Sequence, residues 1–139
     1  MTYLCKLEAD VDSDALCVSF PDVPGAITEG ETVDEALFNA WEALNGVLEI
    51  MVSRGESLPE PRANPGQDMY PVDVESHIMA AWELRKLRGN LSQSDIARRL
   101  GMTYQAYQRL ENPSKGNPTI KTLEKVAKAF GKKLRINIA

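Results

Sequence analysis

Leu91-Ser92-Gln93-Ser94-Asp95-Ile96-Ala97-Arg98-Arg99-Leu100-Gly101-Met102-Thr103-Tyr104-Gln105-Ala106-Tyr107-Gln108-Arg109-Leu110-Glu111 is the stretch on which the reading of this chain turns. Ile96, Ala97 and Leu100 fall on one face of a helix over residues 92–100. Ala97 is small where a second helix must cross close above it. Gly101 stands where the chain has to turn with positive φ, a conformation that a Cβ resists. The next helix, from residue 103 or 104 to 111, sends Tyr107 and Leu110 inward to meet Ile96 and Leu100. Its outward positions are Thr103, Tyr104, Gln105, Gln108 and Arg109. Such side chains hydrogen-bond base edges and phosphates, Gln matching adenine and Arg matching guanine. A plain helical hairpin with a glycine cap and a solvated face is the bland alternative. Small, turning, apolar and polar residues all in register favour a DNA-reading helix pair.

Helical spacing continues on both sides. Ile78, Ala81, Leu84 and Leu87 mark a helix within residues 74–87, and Leu123, Val126, Ala127 and Phe130 mark one over residues 119–130. Across these four helices the pattern resembles the lambda-repressor-like (Xre) helix-turn-helix. The resemblance implies that Gln93 contacts backbone phosphate and that Thr103, Tyr104, Gln105, Gln108 and Arg109 are the recognition positions. Tyr107 departs from it, because that place usually holds a β-branched aliphatic. In the following loop, Asn112, Lys115 and Asn117 can hold phosphates, whereas Lys121, Lys125 and Lys128 read equally well as a solvated face. Residues 133–138 alternate polar with apolar and read as a final strand. Its open edge is expected to pair with the same strand of a second copy, giving a homodimer or higher oligomer, or to fold back on residues 69–72.

Charge divides the chain. Residues 1–68 hold three basic and fourteen acidic side chains, whereas residues 69–139 hold thirteen basic and six acidic, a reversal hidden in a net charge of −4. Two domains with different partners are implied, a polyanion suiting the basic half. Pro59, Pro61, Pro65 and Gly66 read as a semi-rigid linker closing the first domain, so the expected domains are 1–66 and 67–139. In the first, Tyr3, Cys5 and Leu7 alternate along one strand and Leu16, Val18 and Phe20 along the next, joined by the polar residues 10–14. A short third strand is possible. Thr32-Val33-Asp34-Glu35 has capping-box spacing and opens a helix with Leu37, Trp41, Leu44, Leu48 and Met51 on one stripe. This strand register turns Cys17 away from Cys5, so two reduced thiols are expected.

Phe20-Pro21-Asp22-Val23-Pro24-Gly25, then Thr28-Glu29-Gly30-Glu31-Thr32-Val33-Asp34-Glu35-Ala36-Leu37, then Leu58-Pro59-Glu60-Pro61 resemble the HicB antitoxin family, over about residues 3–62. Asn39-Ala40 and Ala43-Leu44 extend the match. A helix-turn-helix is one of the two tails that family uses. The resemblance implies an α+β chain: a small, partial ribonuclease-H-like sheet-plus-helix domain without catalytic competence, then an all-α helix-turn-helix domain with a terminal strand. It also implies a partner, a HicA toxin, which is a small basic ribonuclease using a histidine. The acidic domain is suited to such a surface.

Competing readings are a repressor sensing a small ligand and a two-metal nuclease. The acids crowd the hairpin turn and helix exterior, not the strand faces where a metal pair would sit. With one histidine, His77, two cysteines and no phosphate-cradling glycine loop, no metal, cofactor or catalytic residue is expected. Asn90-Leu91-Ser92 reads as the entry and cap of a helix. An early charge, Lys6, and the lack of a long apolar run point to a cytoplasmic chain with no membrane span.

Overall fold

A computed structural model describes residues 1–139. Its elements are β1 (Thr2–Ala9), β2 (Leu16–Ser19), β3 (Ile27–Gly30), α1 (Val33–Ser53), β4 (Met69–Asp73), α2 (Ser76–Arg88), α3 (Gln93–Leu100), α4 (Tyr104–Leu110) and α5 (Ile120–Ala129). The expected α+β order, a sheet with a helix and then helices alone, is what the chain forms. It divides into two units, Met1–Met79 and Ala80–Ala139.

In the first unit β1, β2 and β3 form an antiparallel meander, and β4 joins the free side of β1, also antiparallel, giving the order β3-β2-β1-β4. Alternation explains the faces: Tyr3, Cys5, Leu7 and Val18 are buried, whereas Cys17 is exposed opposite Glu8. Both thiols are free, as the register requires. Asp10 organises the β1–β2 turn, its carboxylate accepting from the Asp12 amide at 3.1 Å and the Ser13 hydroxyl at 3.1 Å. Pro71 is tolerated in β4 because β4 is an edge strand, where a missing donor costs no ladder bond.

Thr32 caps α1, its hydroxyl accepting from the Glu35 amide at 3.1 Å. The buried stripe shares Leu44 and Leu48 with the expected one and differs from it elsewhere. Ala36, Ala40, Leu44, Leu48 and Val52 face the sheet, while Trp41 is 38% exposed and Leu37 and Met51 are only half-buried. Two alanines let the helix lie close on the strands, which rotates the bulkier residues to its flank.

The proline-rich stretch is not an interdomain linker. Leu58 is buried, the Tyr3 hydroxyl donates to the Pro59 carbonyl, and the Asp22 carboxylate accepts the Arg62 and Ala63 amides at 2.9 and 2.8 Å. The segment is strapped across its own domain and delivers β4 to the sheet. The boundary expected between residues 66 and 67 therefore moves to between Met79 and Ala80. Asn45, 6% exposed, clasps the β4–α2 junction: its amide donates to the Trp41 and Asp73 carbonyls and its oxygen accepts from the Glu75 amide at 2.8 Å.

The second unit packs Leu84, Ile96, Ala97, Leu100, Tyr107, Leu110 and Val126 into one core, with Leu91, Met102, Leu123 and Phe130 against it. The final strand expected over residues 133–138 does not form; Leu134 is half-buried, and Ile136 and Ile138 are 61% and 92% exposed. A strand needs a partner ladder, and residues 69–73, the fold-back alternative, pair with β1 alone.

Candidate nucleic-acid interface

The helix pair is set by local chemistry. Ser92 caps α3, accepting from the Asp95 amide at 3.0 Å. Gly101 ends it in the left-handed region at φ 67°, and the Met102 amide returns to the Ala97 carbonyl at 2.9 Å. Thr103 then caps α4, accepting from the Ala106 amide at 3.1 Å. These devices close the turn within three residues.

The inward and outward assignments divide α4 as expected. Tyr107 and Leu110 are buried, whereas Thr103, Tyr104, Gln105, Gln108 and Arg109 are all exposed. Thr103's cap occupies its oxygen as an acceptor and leaves the hydroxyl proton to donate. Tyr104, at 42% exposure, is a large aromatic at the amino end of the helix, where a groove-reading helix makes its contacts. Tyr107 fits the core whole: its ring is 0% exposed in the place expected to hold a branched aliphatic. Burial pushes its phenol up, and the neighbouring Glu111 carboxylate adds to this, against the opposing Arg88.

Glu111, which immediately follows α4, is 6% exposed. Arg88, at the end of α2, donates from Nε to Glu111 Oε2 at 2.7 Å and from Nη2 to Oε1 at 3.0 Å, and from Nη1 to the Leu91 carbonyl at 2.7 Å. Gln93 Nε2 donates to Glu111 Oε1 at 3.3 Å. One carboxylate thus ties the ends of α2 and α4 to the start of α3. Gln93 is half-buried, and this bond orients its amide while leaving a second N–H to donate. Neither Arg88 nor the role of Glu111 emerged from sequence reasoning. The available signal was a carboxylate directly after the buried Leu110, in a strongly basic region.

Lys115 is exposed in the loop after α4. Asn112 shapes that loop, its carbonyl accepting the Lys115 and Gly116 amides at 3.2 and 2.7 Å and its side chain the Ser114 amide at 3.0 Å. Residue 116 must be glycine here, since a Cβ would lie 2.1 Å from the Arg109 carbonyl oxygen. Lys121, Lys125 and Lys128 are exposed on α5. The corrected boundary sharpens the charge reversal: residues 80–139 hold thirteen basic and four acidic side chains, and residues 1–79 three basic and sixteen acidic. No helix is long and apolar enough to cross a membrane.

Comparison with known proteins assigns the two halves of the chain to different family models. Residues 3–85 match the family model of the HicB-like antitoxin of bacterial toxin–antitoxin systems, and residues 83–137 match a helix-turn-helix model. Antitoxin HicB 1 of Photorhabdus laumondii is 34% identical over 140 residues, covering 99% of this chain and 87% of its own. Antitoxin HicB of Escherichia coli is 33% identical over 122 residues, covering 86% of each chain. The crystal structure of the N-terminal domain of Burkholderia pseudomallei antitoxin HicB superposes with a TM-score of 0.47 and 27% identity, covering 54% of this chain and 99% of that one. The chain belongs to the HicB-like antitoxin family, regulatory proteins rather than enzymes, in a form carrying a helix-turn-helix DNA-binding domain.

Proposed function

We propose that this chain silences a HicA-like, mRNA-cleaving ribonuclease toxin by direct binding through its N-terminal domain, and represses its own operon through α3 and α4. In this reading Gln105, Gln108 and Arg109 read base edges, Thr103 and Tyr104 contact the DNA at the amino end of α4, and Gln93 and Lys115 hold phosphates. The observation that carries the reading is the exposed polar face of α4 on a basic unit, in one chain with an acidic HicB-like domain. A single module reads few base pairs, so the operator is bound by a dimer on two half-sites. The tail over residues 133–138, unpaired in its own chain, is the proposed pairing strand. The protein acts in the cytoplasm, where both operator and messenger lie.

Co-expression with the adjacent short open reading frame tests the first half: a tagged chain should co-purify a small basic protein and relieve its toxicity. Gel shifts on DNA upstream of the gene test the second. A soluble chain that neither protects cells nor retains the neighbouring product refutes the antitoxin assignment; one that ignores upstream DNA at low salt refutes autoregulation.

A further inference from the structure

Helical spacing puts Asp34, Phe38, Trp41 and Glu42 on one flank of α1, beside the stripe that packs on the sheet. Phe38 is 58% and Trp41 38% exposed, and their rings lie 6.1 Å apart, tilted by 35°. Two adjacent aromatic side chains left in water form the kind of anchor that dominates protein interfaces. Their surroundings are acidic. All 21 residues of α1 include no Lys or Arg, but do include Asp34, Glu35, Glu42 and Glu49.

We propose that this aromatic, carboxylate-flanked face of α1 is the surface that receives the toxin, a cationic protein, with an Arg or Lys of the partner held over the two rings. The inference rests on the toxin-binding reading above and names its site. Ring faces attract cations, and flanking carboxylates strengthen that preference and steer association. A second copy of this chain fits poorly, because it would set Asp34 and Glu42 against their own equivalents. A nucleic acid is repelled by the same charges.

The test measures affinity of the full-length chain for the HicA-family toxin encoded beside it, with the toxin's catalytic histidine replaced by alanine. Phe38→Ser should weaken binding about tenfold or more, and the Phe38→Ser/Trp41→Ser double variant about a hundredfold or more. Glu42→Lys should slow association several-fold at low salt, with the difference shrinking as salt rises. Ile50→Ser, also exposed but about a third of a turn around the helix, should bind as wild type. Circular dichroism and operator binding unchanged in Phe38→Ser separate loss of surface from loss of fold. Wild type that forms no complex overturns the toxin-binding reading and this site with it. Wild type that binds, with Phe38→Ser and Glu42→Lys binding equally well, overturns the site alone. Loss of self-association in the double variant, with toxin affinity intact, overturns it in favour of a homomeric contact.

Discussion

Replacing Arg88 with leucine removes three donor contacts at once, the bonds at 2.7 and 3.0 Å to Glu111 and at 2.7 Å to the Leu91 carbonyl. The Glu111 carboxylate, 6% exposed, is left facing the Gln93 amide. Removing one member of a buried ion pair costs about 3–5 kcal/mol, chiefly through the uncompensated charge. Because the Arg88 side chain is 18% exposed, water can reach the carboxylate, which places the loss at the lower end, about 3 kcal/mol. A unit of this size is stable by only about 3–9 kcal/mol. The variant should therefore lose roughly 12–24 °C in the melting of its second unit and bind operator weakly near 37 °C. Trp82 fluorescence in a Trp41→Phe background isolates that unit's unfolding. The Arg88→Leu/Glu111→Met double variant should recover most of the loss, since apolar replacement of a whole buried pair is near neutral. A single-variant cost below about 1 kcal/mol, or a double variant no better than the single, would show that the network does not hold the three helix ends together.

Arg109→Ala and Gln105→Ala should each lose about 1–3 kcal/mol of specific operator binding; wild-type titrations from a folded variant would mean that the rotation of α4 on DNA is misassigned. The Tyr3 phenol, pushed up to about 12 by burial and then by Asp22, stays protonated when the unfolded chain's phenol, near 10, has ionised. The first unit should accordingly hold its stability below pH 10 and lose up to about 3 kcal/mol between pH 10 and 12, and an equally steep loss in Tyr3→Phe denaturation curves would rule out Tyr3 as the cause. A fragment of residues 1–68, lacking β4, should aggregate or lack native circular dichroism, whereas residues 1–79 should fold; a well-folded shorter fragment would make β4 dispensable. Deleting residues 134–139 should yield a monomer by sedimentation that binds a palindromic operator far more weakly, and a truncated dimer with normal binding would remove the tail from the proposed interface.

The helix-turn-helix was legible because its instructions are local. A cap at Ser92, a left-handed glycine at 101, a cap at Thr103 and apolar residues at helical spacing all act within about one turn of where they sit. The five outward residues of α4 could be named for the same reason: once the helix and its buried Tyr107 and Leu110 are set, 3.6 residues per turn determine what remains outside. The hairpin β1–β2, with its alternation and polar turn, was readable on the same terms.

Long-range partners were not readable. Prolines at 59, 61 and 65 describe a stiff segment but not what it lies against; Tyr3 and Asp22 decide that from far away in the chain. Residues 69–73 contain Pro71, which suits only an edge strand, and the sequence does not say that β1 is the strand they join. Conversely, residues 133–138 alternate as a strand should and form none, because alternation does not supply the partner ladder that a strand needs. Helix α1 was correctly placed and its Leu44 and Leu48 correctly turned inward, but Ala36 and Ala40 were missed and Trp41 was turned too far in, since periodicity favours bulky apolar residues over the alanines that close approach requires. Arg88, Glu111 and Asn45 were hidden because a polar residue's burial depends on a partner that another element brings. Sequence by itself determined the elements whose signals lie within a few residues and the opposite charges of the two halves; tertiary structure alone decided the domain boundary, which residues of α1 are buried and the ion pair that joins the ends of α2 and α4, because each depends on groups that meet only when distant segments pack.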